Sequence, residues 1–145
     1  MNPRVTAAIA GSVILLLGLA ALFYPERVLG ILGFAVLSPA HAAAALGEVR
    51  ATYGGVFAVM GLFTLLAAAN PGAHRARLLF VGLLWLGACG GRLVGVFVDG
   101  NPGLFGWGAV ALELLLGGAL VLASQAATPE AAPAVPVAPS SPAPV

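Results

Sequence analysis

The chain has 145 residues, of which 61% are apolar and 8% charged, with no lysine, a formal net charge of +1 and a mean hydropathy of +1.06. A soluble domain of this size covers its surface with polar groups, about a quarter of them charged, so this composition excludes a soluble fold and implies an integral membrane protein of one domain. Six scattered arginines form no basic patch, which excludes nucleic acid as a partner, and the single cysteine, Cys89, excludes an intrachain disulfide.

Four stretches reach the roughly 20 mostly apolar residues that a spanning helix needs. The first, Val5–Tyr24, is longer than the apolar core of a signal peptide and is followed by YPERV in place of a small-residue cleavage site, so it reads as an uncleaved span. Pro25 then suits a helix N1 position, with Glu26 in the first turn to complement the dipole. The next run, VLGILGFAVL, is too short to cross and predicts an interfacial or re-entrant helix. In SPAHAAAALGEVRATYGG, Ser38 is a good N-cap and Pro39 stands at N1. A helix from Pro39 to Ala69 measures roughly 46 Å, so its start either projects from the membrane or bends away near Gly47. The second span within it is Leu46–Ala69.

The third span, Leu78–Val98, and the fourth, Leu104–Gln125, are joined by DGNPG, and the second and third by NPGAHRAR. Connections this short make neighbouring helices antiparallel. The expected fold is therefore all-α: an integral membrane four-helix antiparallel bundle over residues 1–125, with one extra helix between spans one and two. Residues 126–145 form a Pro/Ala-rich tail without apolar periodicity, expected to be disordered. Arg4, Arg75 and Arg77 fall on one side of the membrane against Arg27 and the boundary residue Arg50 on the other, which by the positive-inside rule puts both termini in the cytoplasm.

Charges at membrane depth carry the functional reading. Arg92 lies about 21 Å along span three, and Glu113 about 13 Å along span four as it returns, so the two reach matching depth on adjacent helices. Glu48 and Arg50 sit two residues apart and cannot face each other on one helix, so each needs a partner elsewhere. Since a charge facing lipid costs several kcal/mol, a cluster of Glu48, Arg50, Tyr53, Arg92, Asp99 and Glu113 is expected inside the outer half of the bundle. It could be a structural ion pair, a clamp for an anionic headgroup built on Arg50 and Arg92, or a proton site at Glu113. Gly87, Gly91 and Gly95 on span three, Gly54 and Gly61 on span two, and Gly117 on span four read as packing positions, with the bundle interior favoured over a homodimer. His41 and His74 lack ligand-spaced partners, so no metal site is expected, and no catalytic set is present. Trp85 reads as apolar bulk, while Trp107 and Tyr24 read as interfacial anchors.

The run SPAHAAAALGEVRATYGG, the later GRLVGVFVDGNP and the glutamate of ELLLGG resemble the bacterial domain-of-unknown-function family numbered 4345, small four-span membrane proteins. The resemblance covers roughly Gly11 to Ala123 and excludes the tail. It implies a four-helix bundle in which Arg50, Tyr53, Gly54, Gly55, Arg92, Asp99, Gly100 and Glu113 fill the family's polar positions, and it implies no activity and no cofactor. The expected function is a non-enzymatic one: an accessory or assembly subunit of a larger membrane complex or homo-oligomer, or a lipid-binding bundle. A quinone- or anionic-lipid-binding protein and a proton-coupled transporter using Glu113 are the alternatives; small four-span exporters place their essential glutamate in span one, which here has no charge between Arg4 and Glu26.

Overall fold

The computed structural model describes residues 2–34 and 39–128. The expected cap at Ser38, the side chain of His41 and the tail from residue 129 lie outside the described residues. The described chain is helical in the order α1 (Pro3–Phe23), α2 (Pro25–Ile31), α3 (Pro39–Glu48), a π-helical segment (Val49–Val56), α4 (Phe57–Ala69), α5 (Arg75–Asp99) and α6 (Gly103–Ala126). Four helical stretches, Pro3–Phe23, Ala42–Ala69, Arg75–Asp99 and Gly103–Ala126, are long and apolar enough to cross a membrane. The architecture is the all-α four-span bundle that the composition implies, and it marks a multi-pass membrane protein.

Helix boundaries follow from local chemistry. Asn2 caps α1, its Oδ1 accepting the Arg4 backbone N–H at 3.0 Å. α1 stops at Tyr24 because the following Pro25 disfavours helical geometry in the residue before it, and Pro25 then opens α2. α2 is only seven residues long and ends in a Schellman turn: Gly33 takes φ 76°, the Phe34 N–H reaches the Leu29 carbonyl, and the Gly33 N–H reaches that of Gly30. The turn from α5 to α6 needs Gly100 and Gly103, both at positive φ, and Asn101 Oδ1 ties it by accepting from the Gly103 N–H and from Trp107 Nε1. After Gly47 the hydrogen-bond ladder changes from α to π over Val49–Val56, the stretch that holds Arg50, Tyr53, Gly54 and Gly55.

The helices associate as two close pairs. α1 packs antiparallel on α4 through a glycine seam: a Cβ placed on Gly18 would lie 2.3 Å from the Ala58 nitrogen, and one on Gly61 2.3 Å from the Leu15 nitrogen. Gly11 against Leu65 and Gly54 against Leu22 extend the seam in both directions. α5 and α6 meet at Gly82 and Gly117, each backbone carbonyl within 3.0 Å of a Cβ added to the other residue. In lipid, where apolar surface gains nothing by leaving the solvent, such backbone proximity supplies the dispersion contacts that hold helices together. The core between the pairs contains Ala7, Ile14, Ala67, Leu78, Trp85 and Leu120, all buried. Thr64 is buried too and donates its hydroxyl to the Met60 carbonyl one turn back, so that hydroxyl is satisfied within its own helix.

One expected packing surface is corrected. Gly54, Gly61 and Gly117 lie in seams as predicted, but Gly87, Gly91 and Gly95 do not. A Cβ at Gly87 or Gly91 would meet nothing within 4 Å, and one at Gly95 would meet only Asp99 of its own helix. Periodicity groups these three on one face, and the bundle turns that face outward because Gly82, Trp85 and Cys89 occupy the buried one.

The two classes of glycine should separate by mutation. Gly18→Val and Gly61→Val force seam backbones apart and are expected to destabilise by about 1–3 kcal/mol or more. Gly91→Ala should be neutral or stabilising by up to about 1 kcal/mol, since it only adds helix propensity. Thermal unfolding of the purified variants in one detergent measures both.

Candidate functional site

The α5–α6 hairpin sets the site. Its register is fixed where Gly82 meets Gly117 and where the Cys89 thiol points at the Val110 carbonyl, 3.8 Å away. Extended along the hairpin, that register places Trp107 opposite Arg92, and Glu113 six residues further from the turn, about 9 Å along the axis. The side chains close this gap by direction. Cα–Cβ bonds tilt toward a helix N-terminus, so Arg92 leans away from the turn and Glu113 leans toward it. They meet with Arg92 Nε donating to Glu113 Oε1 at 2.7 Å, a charge-assisted distance. The Glu113 side chain is 6% exposed and that of Arg92 36%, so the carboxylate is interior while the guanidinium stem reaches in from a partly open position.

The pair lies on the wall of a cavity of about 400 Å³ between the two helix pairs. Leu17, Ala20 and Ala21 of α1 form one wall and Phe105, Gly108, Ala109 and Leu112 of α6 another. Val28, Ile31 and Leu32 cover it from α2 and the residue that follows. Tyr53, Phe57 and Trp85 form a connected aromatic row, with ring centroids 5.8 and 5.1 Å apart. The wall is thus almost wholly apolar. Trp85 Nε1 and Glu113 Oε2 are buried and make no hydrogen bond among the described residues. A buried donor or acceptor left unpaired costs about 1–3 kcal/mol, more for a charged group.

The predicted six-residue cluster is brought together only in part. Arg92 and Glu113 pair as expected, and Tyr53 shares their cavity. Glu48 is exposed and accepts from the Thr52 hydroxyl of its own helix at 2.7 Å. Arg50 and Asp99 are exposed, make no hydrogen bond or ion pair among the described residues, and do not line the cavity. A headgroup clamp that uses Arg50 together with Arg92 is therefore not formed. The physical reason lies in the ladder change: π geometry takes up more residues per hydrogen-bonded loop than α geometry, so 3.6-residue spacing misplaces Arg50 around the axis. For Asp99, position at the α5 C-terminus gives water access without a partner.

Sequence reasoning passed over Trp85 as bulk. Its signal was the indole N–H, a donor with no acceptor nearby in sequence, placed mid-span where water is scarce. The role of α2 as a cover had no such signal, since it depends on where Leu29 docks against Ala21 and Val49. Among the described residues, no three His, Cys, Asp or Glu side chains converge as a metal site would require.

The other arginines are handled at the bundle ends. Arg75 Nε donates to the Ser124 carbonyl at 2.9 Å, Arg77 stacks over Phe63, and Arg27 stacks over Tyr24. Asn2, Arg4, Asn70, Gly72 and Thr128 surround one opening, so the start of α1, the α4–α5 turn and the end of α6 share one end of the bundle.

The family model described as "Domain of unknown function (DUF4345)" matches residues 3–124, and the chain belongs to that family. The match takes in all four membrane-length helices, the ion pair and the cavity. No curated protein and no solved structure matches the chain.

Removing one partner of the pair leaves the other unpaired in an apolar setting. Arg92→Leu and Glu113→Leu should each lower stability by about 3 kcal/mol. The double variant Arg92→Leu/Glu113→Leu should recover part of that loss, giving a coupling energy visible in a double-mutant cycle of unfolding in detergent.

Proposed function

We propose that this member of the DUF4345 family is a non-enzymatic, membrane-embedded binding protein that holds a small apolar or amphiphilic molecule between its two helix pairs. The observation that carries this reading is the cavity of about 400 Å³, walled by aliphatic and aromatic side chains, with the Arg92–Glu113 pair and Tyr53 among the residues that line it. Small-molecule sites occupy about 300–1,000 Å³, are mostly apolar, and carry a few placed polar groups that orient the ligand. The Arg92–Glu113 pair then serves both to lock α5 to α6 and to present a polar wall to the ligand. A proton-coupled carrier is less well supported, since Glu113 is engaged by the Arg92 guanidinium at 2.7 Å and α1 carries no acidic residue within its span.

The membrane in question is the bacterial inner membrane, with both termini cytoplasmic. The orientation is supported by the end of the bundle that holds Arg4, Arg75 and Arg77, which outnumber Arg27 and Arg50 toward the other end. A second reading, an accessory subunit of a larger membrane complex or a homo-oligomer, draws on the outward small-residue face of Gly87, Gly90 and Gly91.

Native mass spectrometry after gentle solubilisation tests the binding reading. A small molecule or lipid should accompany the wild type at a stoichiometry near one per chain. Gly108→Phe should abolish that mass while the protein still folds, because a Cβ at Gly108 meets nothing within 4 Å and the larger side chain can fill the cavity. Equal retention by both proteins would refute the assignment, and a co-purifying polypeptide in place of a small mass would favour the subunit reading.

A further inference from the structure

The cavity occupies one half of the membrane. Its α1 wall, from Leu17 to Ala21, belongs to the last turns of that helix, and its α6 wall, from Phe105 to Glu113, to the first turns of the other. At about 1.5 Å per residue the α6 wall is about 12 Å long. One leaflet contributes about 15 Å of a hydrocarbon core about 30 Å thick. The cavity therefore reaches from near the surface on the α2 side to about the middle of the membrane, the interval that one lipid chain fills.

α1 and α6 differ between the two halves. Away from α2, Ala7, Ala10, Leu116 and Leu120 of these helices are buried in the core. Toward α2 their cavity-lining residues are open: Leu17 is 37% exposed, Phe105 is 49% exposed, and Ala20 and Gly108 are exposed too. On the opposite wall Phe57 and Arg92 are half-buried and Trp85 is only 4% exposed. The cavity thus opens sideways between α1 and α6, continuous with the surface that faces lipid, and Trp85 stands at its floor.

The chemistry of the wall selects the occupant. Almost no polar surface reaches the cavity, and the unpaired atoms of Trp85 and Glu113 are buried within the protein. A headgroup drawn inside would lose its water without hydrogen bonds in return. Entry from water past the bundle end is blocked by the aliphatic cover of Val28, Ile31 and Leu32. A hydrocarbon chain meets neither obstacle, because lipid tails are as apolar as this lining and already surround the opening. We infer that the cavity holds one hydrocarbon tail of a bilayer lipid, drawn in between α1 and α6 from the leaflet on the α2 side, with the headgroup left at the membrane surface. This deepens the binding reading above and rests on it.

Bromine quenching of Trp85 fluorescence tests the inference in the full-length protein in lipid nanodiscs. Trp107→Phe removes the second tryptophan, which does not line the cavity. The nanodiscs contain palmitoyl-oleoyl phosphatidylcholine and a rising fraction of the same lipid brominated in the far half of one chain. Trp85 lies about 15 Å into α5, close to mid-membrane, so this lipid should quench it despite its burial. A lipid brominated near the headgroup should quench it less. Gly108→Phe and Ala20→Phe fill the space from opposite sides of the opening, and each should cut the quenching at least about threefold.

Quenching that persists in both variants would come from lipid packed around the bundle and would overturn the inference. Quenching by 1-bromohexane that the two substitutions abolish, with none by either brominated lipid, would keep the binding reading and reject the lipid tail. Quenching sensitive to the substitutions with none of the three probes would reject both. The comparison survives the loss of any one substitution: Trp107, if it must be kept, contributes equally to parent and filled proteins, and either filling residue suffices alone.

Discussion

Glu113 lies ten residues into α6, about 15 Å from its start, in a helix otherwise free of charge, with its side chain 6% exposed. An ionised carboxylate in that setting is tolerable only with an opposite charge in direct contact, and Arg92 supplies it. The arrangement is asymmetric in a useful way. The arginine stem crosses apolar surface from a partly open position, as long basic side chains can, whereas the shorter glutamate is fully committed to the interior. Reaching the contact requires the α5–α6 register to be the one seen, because tilt toward the helix N-termini brings the two groups together only when the carboxylate lies further from the turn than the guanidinium.

Glycine makes that register available. Gly82 and Gly117 let the α5 and α6 backbones approach closely, and Gly11, Gly18, Gly54 and Gly61 do the same for α1 and α4. Two pairs drawn tight internally do not close uniformly on each other. α1 also touches α6 and α4 touches α5, and toward the α2 end the aromatic row of Tyr53, Phe57 and Trp85 lines the cavity between the pairs. The cavity is what remains. It sits beside the ion pair, with Arg92 and Glu113 among its lining residues.

The two oxygens of the Glu113 carboxylate differ in their surroundings. Oε1 is engaged in holding two helices together, while Oε2 is buried and makes no hydrogen bond among the described residues. The π segment contributes from the other wall. It sets Tyr53 toward the cavity while Gly54 closes on Leu22, a combination of azimuths produced by its own ladder. Such segments recur at functional sites in other helices, and here the segment coincides with the RATYGG stretch.

What residues along the chain could say was set by local quantities. Length and hydropathy of each apolar run determined four spans and their limits to within a few residues, because crossing a membrane demands a fixed number of apolar residues whatever the neighbours. Depth, counted at 1.5 Å per residue, was enough to match Arg92 with Glu113. Azimuth was another matter. Whether Gly87 and Gly91 face a neighbour or the lipid, whether Arg50 turns inward, and whether the Trp85 indole meets an acceptor all depend on which face of each helix is chosen by its partners. That choice is made by backbone contacts between segments far apart in sequence, and along Val49–Val56 it is shifted again by a ladder with a different repeat. Position along a helix is a property of the chain; rotation about it belongs to the assembled bundle.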